Sequence, residues 1–209
     1  MNTITEAKTE NLSGIVAALE SAHSIIREKT GAPRVTILVT RKTGRTMGHF
    51  THAKLWKAGE EQFHEIMISA NYFERGARAV LGTLLHEVAH SIDSQNGIQG
   101  VSGDGYHNQK FKATAEALGL TITQAKGIGW SVTDVSDECA ERWSDALAII
   151  EEALSLMADS EQSGKSGGRN KNLKVAMCGC GEKIRLSAKA LEKCAPKCQN
   201  CGVEFKALS

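Results

Sequence analysis

The sequence predicts an α+β fold in two parts: a helical domain holding a small β-sheet, then a short cysteine-rich module at the C-terminal end. Three observations lead there. Apolar residues recur at helical spacing in four separate segments, two short β-prone runs lie between the first and second of these, and five of the six cysteines crowd between Cys178 and Cys201.

From Ile4 to Lys29 the pattern is amphipathic, with Ile15, Leu19, His23 and Ile26 on one face, and Lys29-Thr30-Gly31-Ala32-Pro33 ends it. Val35 to Thr40 is rich in β-branched residues, and Gln62 to Ser69 alternates well enough to be a second strand. The interval Thr43 to Glu61 reads as a loop with a further strand around His52 to Trp56. A second helix runs through Gly76 to His90, and a third through Asn108 to Leu118 with Phe111, Ala115 and Leu118 inward. Thr121 to Thr133 is turn-rich, with Trp130 read as core. Ser136 to Met157 reads as one long helix on the stripe Ala140, Trp143, Ala146, Leu147, Ile150 and Leu154, with Cys139 as a small buried hydrophobe.

Composition then breaks. Asp159 to Asn172 contains no apolar residue, so the expected organisation is a domain over 1–158, a flexible linker over 159–173 and a ribbon over 174–209. With 209 residues and 41% hydrophobic content there is room for one main core of about 150 residues and a minor module. The chain starts without a basic stretch leading into an apolar run, and no apolar stretch approaches a membrane span, which gives an intracellular, cytoplasmic expectation. The tight cysteine pairs suit metal binding in a reducing compartment better than disulfides.

The chemistry centres on His86-Glu87-Val88-Ala89-His90. At 3.6 residues per turn His86 and His90 share one helix face and can grip a single ion, while Glu87 is placed to reach a water on that ion. This is the pattern of a zinc hydrolase. Such sites take three protein ligands and keep one position open, so a third ligand is needed downstream. His107 is the candidate, carried at the head of the third helix by a loop punctuated with Gly97, Gly100, Gly103 and Gly105; the competing reading is a solvent-exposed histidine capping that helix. A class reading HExxHxxGxxH fails because Asp93 and Asn96 occupy its glycine and histidine positions. A glutamate-ligand class has only Glu116, and peptide deformylases need an upstream cysteine, whereas the first here is Cys139. His23, His49, His52 and His64 have no partner at chelating spacing and read as structural or surface residues.

The run Val80 to His90, the glycine-rich loop, His107-Asn108-Gln109-Lys110-Phe111 opening a helix and the C-terminal cysteine module together resemble the SprT-like metallopeptidase family, the group of the Spartan-type proteases that clear proteins crosslinked to DNA. The resemblance implies a zincin-like domain, His86, His90 and His107 as ligands of a catalytic zinc, and Glu87 as the base in peptide hydrolysis. A general base beside an open zinc would take a proton as water attacks a peptide carbonyl and later return it to the leaving amine. No oxyanion donor is evident; Tyr106 beside the third ligand is one option and packing is the other. The small sheet would guide an extended substrate along Phe63 to Ser69.

Cys178-Gly179-Cys180-Gly181 and Cys198-Gln199-Asn200-Cys201-Gly202 form a second signature, a four-thiolate structural zinc in a module too small for a core of its own. Cys194 is a fifth thiol that could replace Cys180 or Cys198. The first 164 residues hold 15 Lys and Arg against 21 Asp and Glu, the last 45 hold 10 against 3. A basic ribbon and linker suit DNA as a partner, although the same charge also offsets a four-thiolate zinc. The expected function is a zinc endopeptidase acting on proteins, including DNA-associated or DNA-crosslinked ones. The alternative is a catalytically idle nucleic-acid-binding or adaptor protein with structural zinc sites; an intact Glu87 argues against it.

Overall fold

Helix α1, Thr3–Thr30, buries Ile15, Leu19, Ala22 and Ile26 along the expected stripe and stops at Gly31, whose φ of +72° an L side chain rarely adopts. These positions belong to a computed structural model that describes residues 3–41, 46–162 and 173–208 and divides into two units, 1–163 and 164–209.

In the first unit, β1 (Val35–Thr40) runs parallel to β3 (Glu61–Ser69), and β2 (Gly48–Ala58) runs antiparallel to β3, giving the order β1-β3-β2. The interval read as mostly loop thus carries an eleven-residue strand, with its register interrupted between Thr51 and Trp56. It lacks clean alternation because it is an edge strand, exposed along most of its length. This placement corrects the expectation for substrate guidance: β3 is the central strand, both its edges are paired, and the free edge on that side belongs to β2. Val35, Ile37 and Val39 share a face with Ile66, Ile68 and Phe50, and that face meets the helices.

Helix α2, Ala77–Gln95, is the axis of the core, with Leu81, Leu84, Leu85, Val88 and Ala89 fully buried. At about 1.5–3 kcal/mol for each large side chain removed from water, this helix is fixed more firmly than its own propensity would manage. Helix α3, Gln109–Ala117, adds Phe111 and Ala115 to the same core. The turn-rich segment after it is a hairpin, β4 (Thr121–Ala125) and β5 (Gly129–Asp134).

The single long helix expected from Ser136 is two helices, α4 (Asp137–Arg142) and α5 (Ser144–Gln162). Trp143 makes the break, with φ −110° and ψ 25°, and its buried indole N–H donates to the Leu118 carbonyl at 2.8 Å. Ser136 caps α4 by accepting from the Cys139 amide, and the Cys139 side chain is buried as expected. Helix α5 packs along both α1 and α2.

The second unit has β6 (Leu173–Met177), β7 (Lys183–Ser187), α6 (Ala188–Cys194) and β8 (Lys206–Ala207), with sheet order β7-β6-β8. Both ends of the expected linker shift, since α5 runs to Gln162 and β6 begins at Leu173; residues 163–172 lie outside the described ones. Among the described residues of this unit only Ala176, Cys178 and Cys198 are buried, far too little for an apolar core. No described helix of either unit is long and apolar enough to cross a membrane.

Candidate metal centres

One turn of α2 separates His86 from His90, and their Nε2 atoms lie 3.2 Å apart. The third imidazole arrives by a different route. His107 bridges Val101 on one side and Gly129 on the other; its amide donates to the Ile128 carbonyl at 3.1 Å, and its carbonyl accepts from the Trp130 amide at 2.9 Å. The hairpin therefore clamps this residue, and its Nε2 comes to 3.2 Å from that of His90.

The helix cap is the next residue. Asn108 accepts from the amides of Lys110 and Phe111 and donates to the Gln99 carbonyl, which disposes of the reading of His107 as a cap. His107 Nδ1 lies 3.3 Å from the Ile128 carbonyl; donation there puts the lone pair on Nε2, towards the other two rings.

Ligand atoms of His86, His90 and His107 all fall within 4.8 Å of one another and could hold a metal ion. Tetrahedral zinc with bonds of about 2.0–2.1 Å has ligand nitrogens about 3.4 Å apart, so the two 3.2 Å separations fit it. Burial lowers the basicity of all three rings, with His107 adding to the effect on His86, which falls to about 3. Neutral imidazoles with converging lone pairs are the form a metal needs.

Phe111 is the floor of the site. Its ring lies 4.8, 4.4 and 4.6 Å from those of His86, His90 and His107. The sequence marked it as an inward-facing residue and as the end of the segment from His107 to Phe111, without a role at the site; its position four after His107 was the available signal.

Glu87 is 5% exposed and lies against Gly48 of β2, with its carboxyl accepting from the Phe50 amide. Burial raises its pKa to about 8, the Phe50 amide opposing. A cleft of about 610 Å³ joins Glu87 and the three imidazoles to Gly48, His49, Phe50 and His52 along β2. His49 and His52, read as structural or surface residues, thus line the candidate site without joining the ligand cluster, whereas His64 approaches the Thr51 carbonyl and His23 is buried elsewhere. The Tyr106 hydroxyl accepts from Gln124 at 3.0 Å, and the ring packs against Gly129 rather than lining the cleft. Glu116 pairs with Lys112 on the outside of α3, outside the ligand cluster.

In the second unit Cys178, Cys180, Cys198 and Cys201 cluster within 4.8 Å. Sγ separations of 3.3 Å for Cys178–Cys180 and 3.7 Å for Cys180–Cys198 approach the roughly 3.8 Å edge expected of tetrahedral zinc thiolate. Gly181 and Gly202, with φ of +91° and +70°, let the backbone fold back so that their amides donate to the Cys178 and Cys198 carbonyls. Cys194 stands exposed at the end of α6, outside the cluster, as the spare thiol.

No curated protein and no solved structure matches the chain. The profile of the SprT-like family does, over residues 16–129. That span covers more than half of the chain, from α1 through all three clustered histidines to the glycine that clamps the third, and the protein therefore belongs to the SprT-like family.

Proposed function

We propose that the protein is a zinc-dependent endopeptidase of the SprT-like type, with His86, His90 and His107 as ligands of a catalytic zinc and Glu87 as general base. The observation that carries this reading is the convergence of three neutral imidazoles beside a buried carboxyl in one open cleft. Zinc, when bound there, supplies Lewis acidity towards the scissile carbonyl and acidifies water. Burial alone favours the neutral carboxyl of Glu87, and the positive charge of a bound ion would favour its ionised form, which removes a proton from the attacking water at a carboxylate oxygen and returns it to the leaving amine nitrogen. The Phe50 amide steadies that carboxyl, and the Ile128 carbonyl keeps the ring of His107 turned inward. An extended peptide adds along the outer edge of β2, the strand whose Gly48–Phe50 stretch borders the cleft, on the part not taken up by the Phe50–Glu87 contact.

The four cysteines hold a structural zinc, and the unit they organise recruits DNA. Lys174, Lys183, Arg185, Lys189, Lys193 and Lys197 are all exposed on it, which supports backbone neutralisation. The physiological substrates on this reading are DNA-associated or DNA-crosslinked proteins, met in the cytoplasm. The deciding experiment is Glu87→Gln: two zincs per chain are retained and peptide cleavage is abolished, measured on a DNA-crosslinked protein and on the same protein free. A Gln variant as active as the parent removes Glu87 from the mechanism.

A further inference from the structure

A second cleft, of about 400 Å³, opens between α1 and the far end of the sheet. It shares no lining residue with the metal cleft, and Phe50 and Lys57 on β2 are roughly 20 Å apart at strand rise. Positions 20, 23, 24 and 27 of α1 lie on one helical face and turn Glu20, His23 and Arg27 towards it. The chain leading into β1 supplies Arg34, and the end of β2 supplies Trp56 and Lys57.

Three features of this cleft point to a ligand. Arg27, Arg34 and Lys57 face a single acid, Glu20, among the described residues that line it. Glu61, 3.6 Å from Arg34, offsets one of these charges, which leaves Arg27 and Lys57 without an ion pair among the described residues. Trp56 is 41% exposed, yet its indole N–H is fixed by Glu65 at 2.8 Å, so a flat aromatic surface is held in place at the rim. His23 is only 5% exposed and lines the same cleft, but its Nε2 has no hydrogen-bond partner among the described residues. The other ring nitrogen is used by the Pro33 carbonyl. A buried polar atom left unpaired is costly, and a ligand donor that reaches it by displacing the exposed side chains at the rim would recover that cost.

We infer that this cleft binds a nucleotide, with its phosphate on Arg27 and Lys57, its base on the face of Trp56, and a sugar hydroxyl or base amino group donating to His23. Guanidinium and ammonium groups suit the phosphate oxygens, and a fixed indole suits any base. Burial and the nearby Arg27 lower the pKa of His23 to about 4, which keeps the imidazole neutral and able to accept.

The test titrates the full-length protein with thymidine monophosphate, thymidine, inorganic phosphate and a short oligothymidylate, followed by calorimetry and tryptophan fluorescence. Saturable binding of the monophosphate is expected, with quenching that disappears in Trp56→Phe. Affinity should fall roughly tenfold or more in Arg27→Glu/Lys57→Glu, the loss of a charge-assisted contact. Both altered side chains are exposed, and circular dichroism checks that the fold survives. An oligomer that competes with the monophosphate identifies a unit of single-stranded nucleic acid as the ligand; a monophosphate that the oligomer does not displace identifies a free nucleotide. The inference is overturned if millimolar monophosphate gives no saturable signal, if inorganic phosphate binds as tightly as the nucleotide, or if the charge-reversed variant binds unchanged.

Discussion

Gly48 faces Glu87 across the cleft so closely that a single methyl group tests the proposed role of that carboxylate. A Cβ built at Gly48 would stand 2.5 Å from Glu87 Oε1, 2.9 Å from Glu87 Cγ and 2.8 Å from Thr83 Cγ2, where ordinary contact begins at 3.4 Å. Gly48→Ala must therefore push the carboxyl aside by about 0.9 Å, and a misplacement near 1 Å at a reacting group costs on the order of 100-fold in rate. That corresponds to about 2.7 kcal/mol of lost transition-state stabilisation. Overpacking also lowers folding stability, by about 1–3 kcal/mol. The assay is kcat/KM on an unfolded protein substrate, with zinc content and Tm measured on the same preparation. Zinc content should stay at the parental value, since none of the nearest contacts is a histidine. Thr83→Ser removes one clash but leaves those with Glu87, so the double variant stays impaired. Parental kcat/KM in folded, zinc-loaded Gly48→Ala would refute the placement of Glu87 as the base.

Other perturbations separate the parts of the molecule. His107→Ala should reduce bound zinc from two per chain to one by elemental analysis, with the cysteine-bound ion retained; Cys198→Ser should do the converse. Gly129→Ala places a Cβ against the His107 carbonyl and the Tyr106 ring at a φ of +70°, so it should loosen the clamp on the third ligand and weaken catalytic zinc binding roughly 10–100-fold in a chelator competition. A strong chelator should unfold the region 173–208, which buries only three described residues, while amide protection in α2 persists. His23 gives a pH signature. Its folded pKa of about 4 lies below the ordinary 6.5, so the unfolded chain takes the proton first. Its stabilising effect is full above about pH 6.5 and declines towards pH 4, by about 3 kcal/mol in total. Denaturant midpoints for the parent and His23→Gln should show the variant with the shallower acid dependence; parallel curves would deny the burial of the ring.

Helices and the clustered histidines and cysteines were legible because their signals are local. The stripe Ile15, Leu19 and Ile26, the spacing of His86 and His90, and the paired cysteines each express one element's geometry. What was missed depends on partners distant in sequence. Only the part of β2 around His52 to Trp56 read as strand, because an exposed edge strand needs no alternation, and its role at the cleft comes from pairing with β3. The break at Trp143 is invisible in the stripe because Ala140, Trp143 and Ala146 keep a three-residue rhythm across it; only the Leu118 carbonyl shows why the chain departs there. Nor does the neighbourhood of His107 reveal that Ile128, 21 residues on, fixes its ring.

Helices α1 and α5 of the first unit lie against each other, and both contribute to the cluster of buried side chains to which α2 belongs. During translation the residues of α5 leave the ribosome last among these, so the histidine-bearing helix lacks part of its cover until the domain is complete. The cover of the histidine-bearing helix is thus complete only once Ala146 and Ile150 have joined the buried cluster.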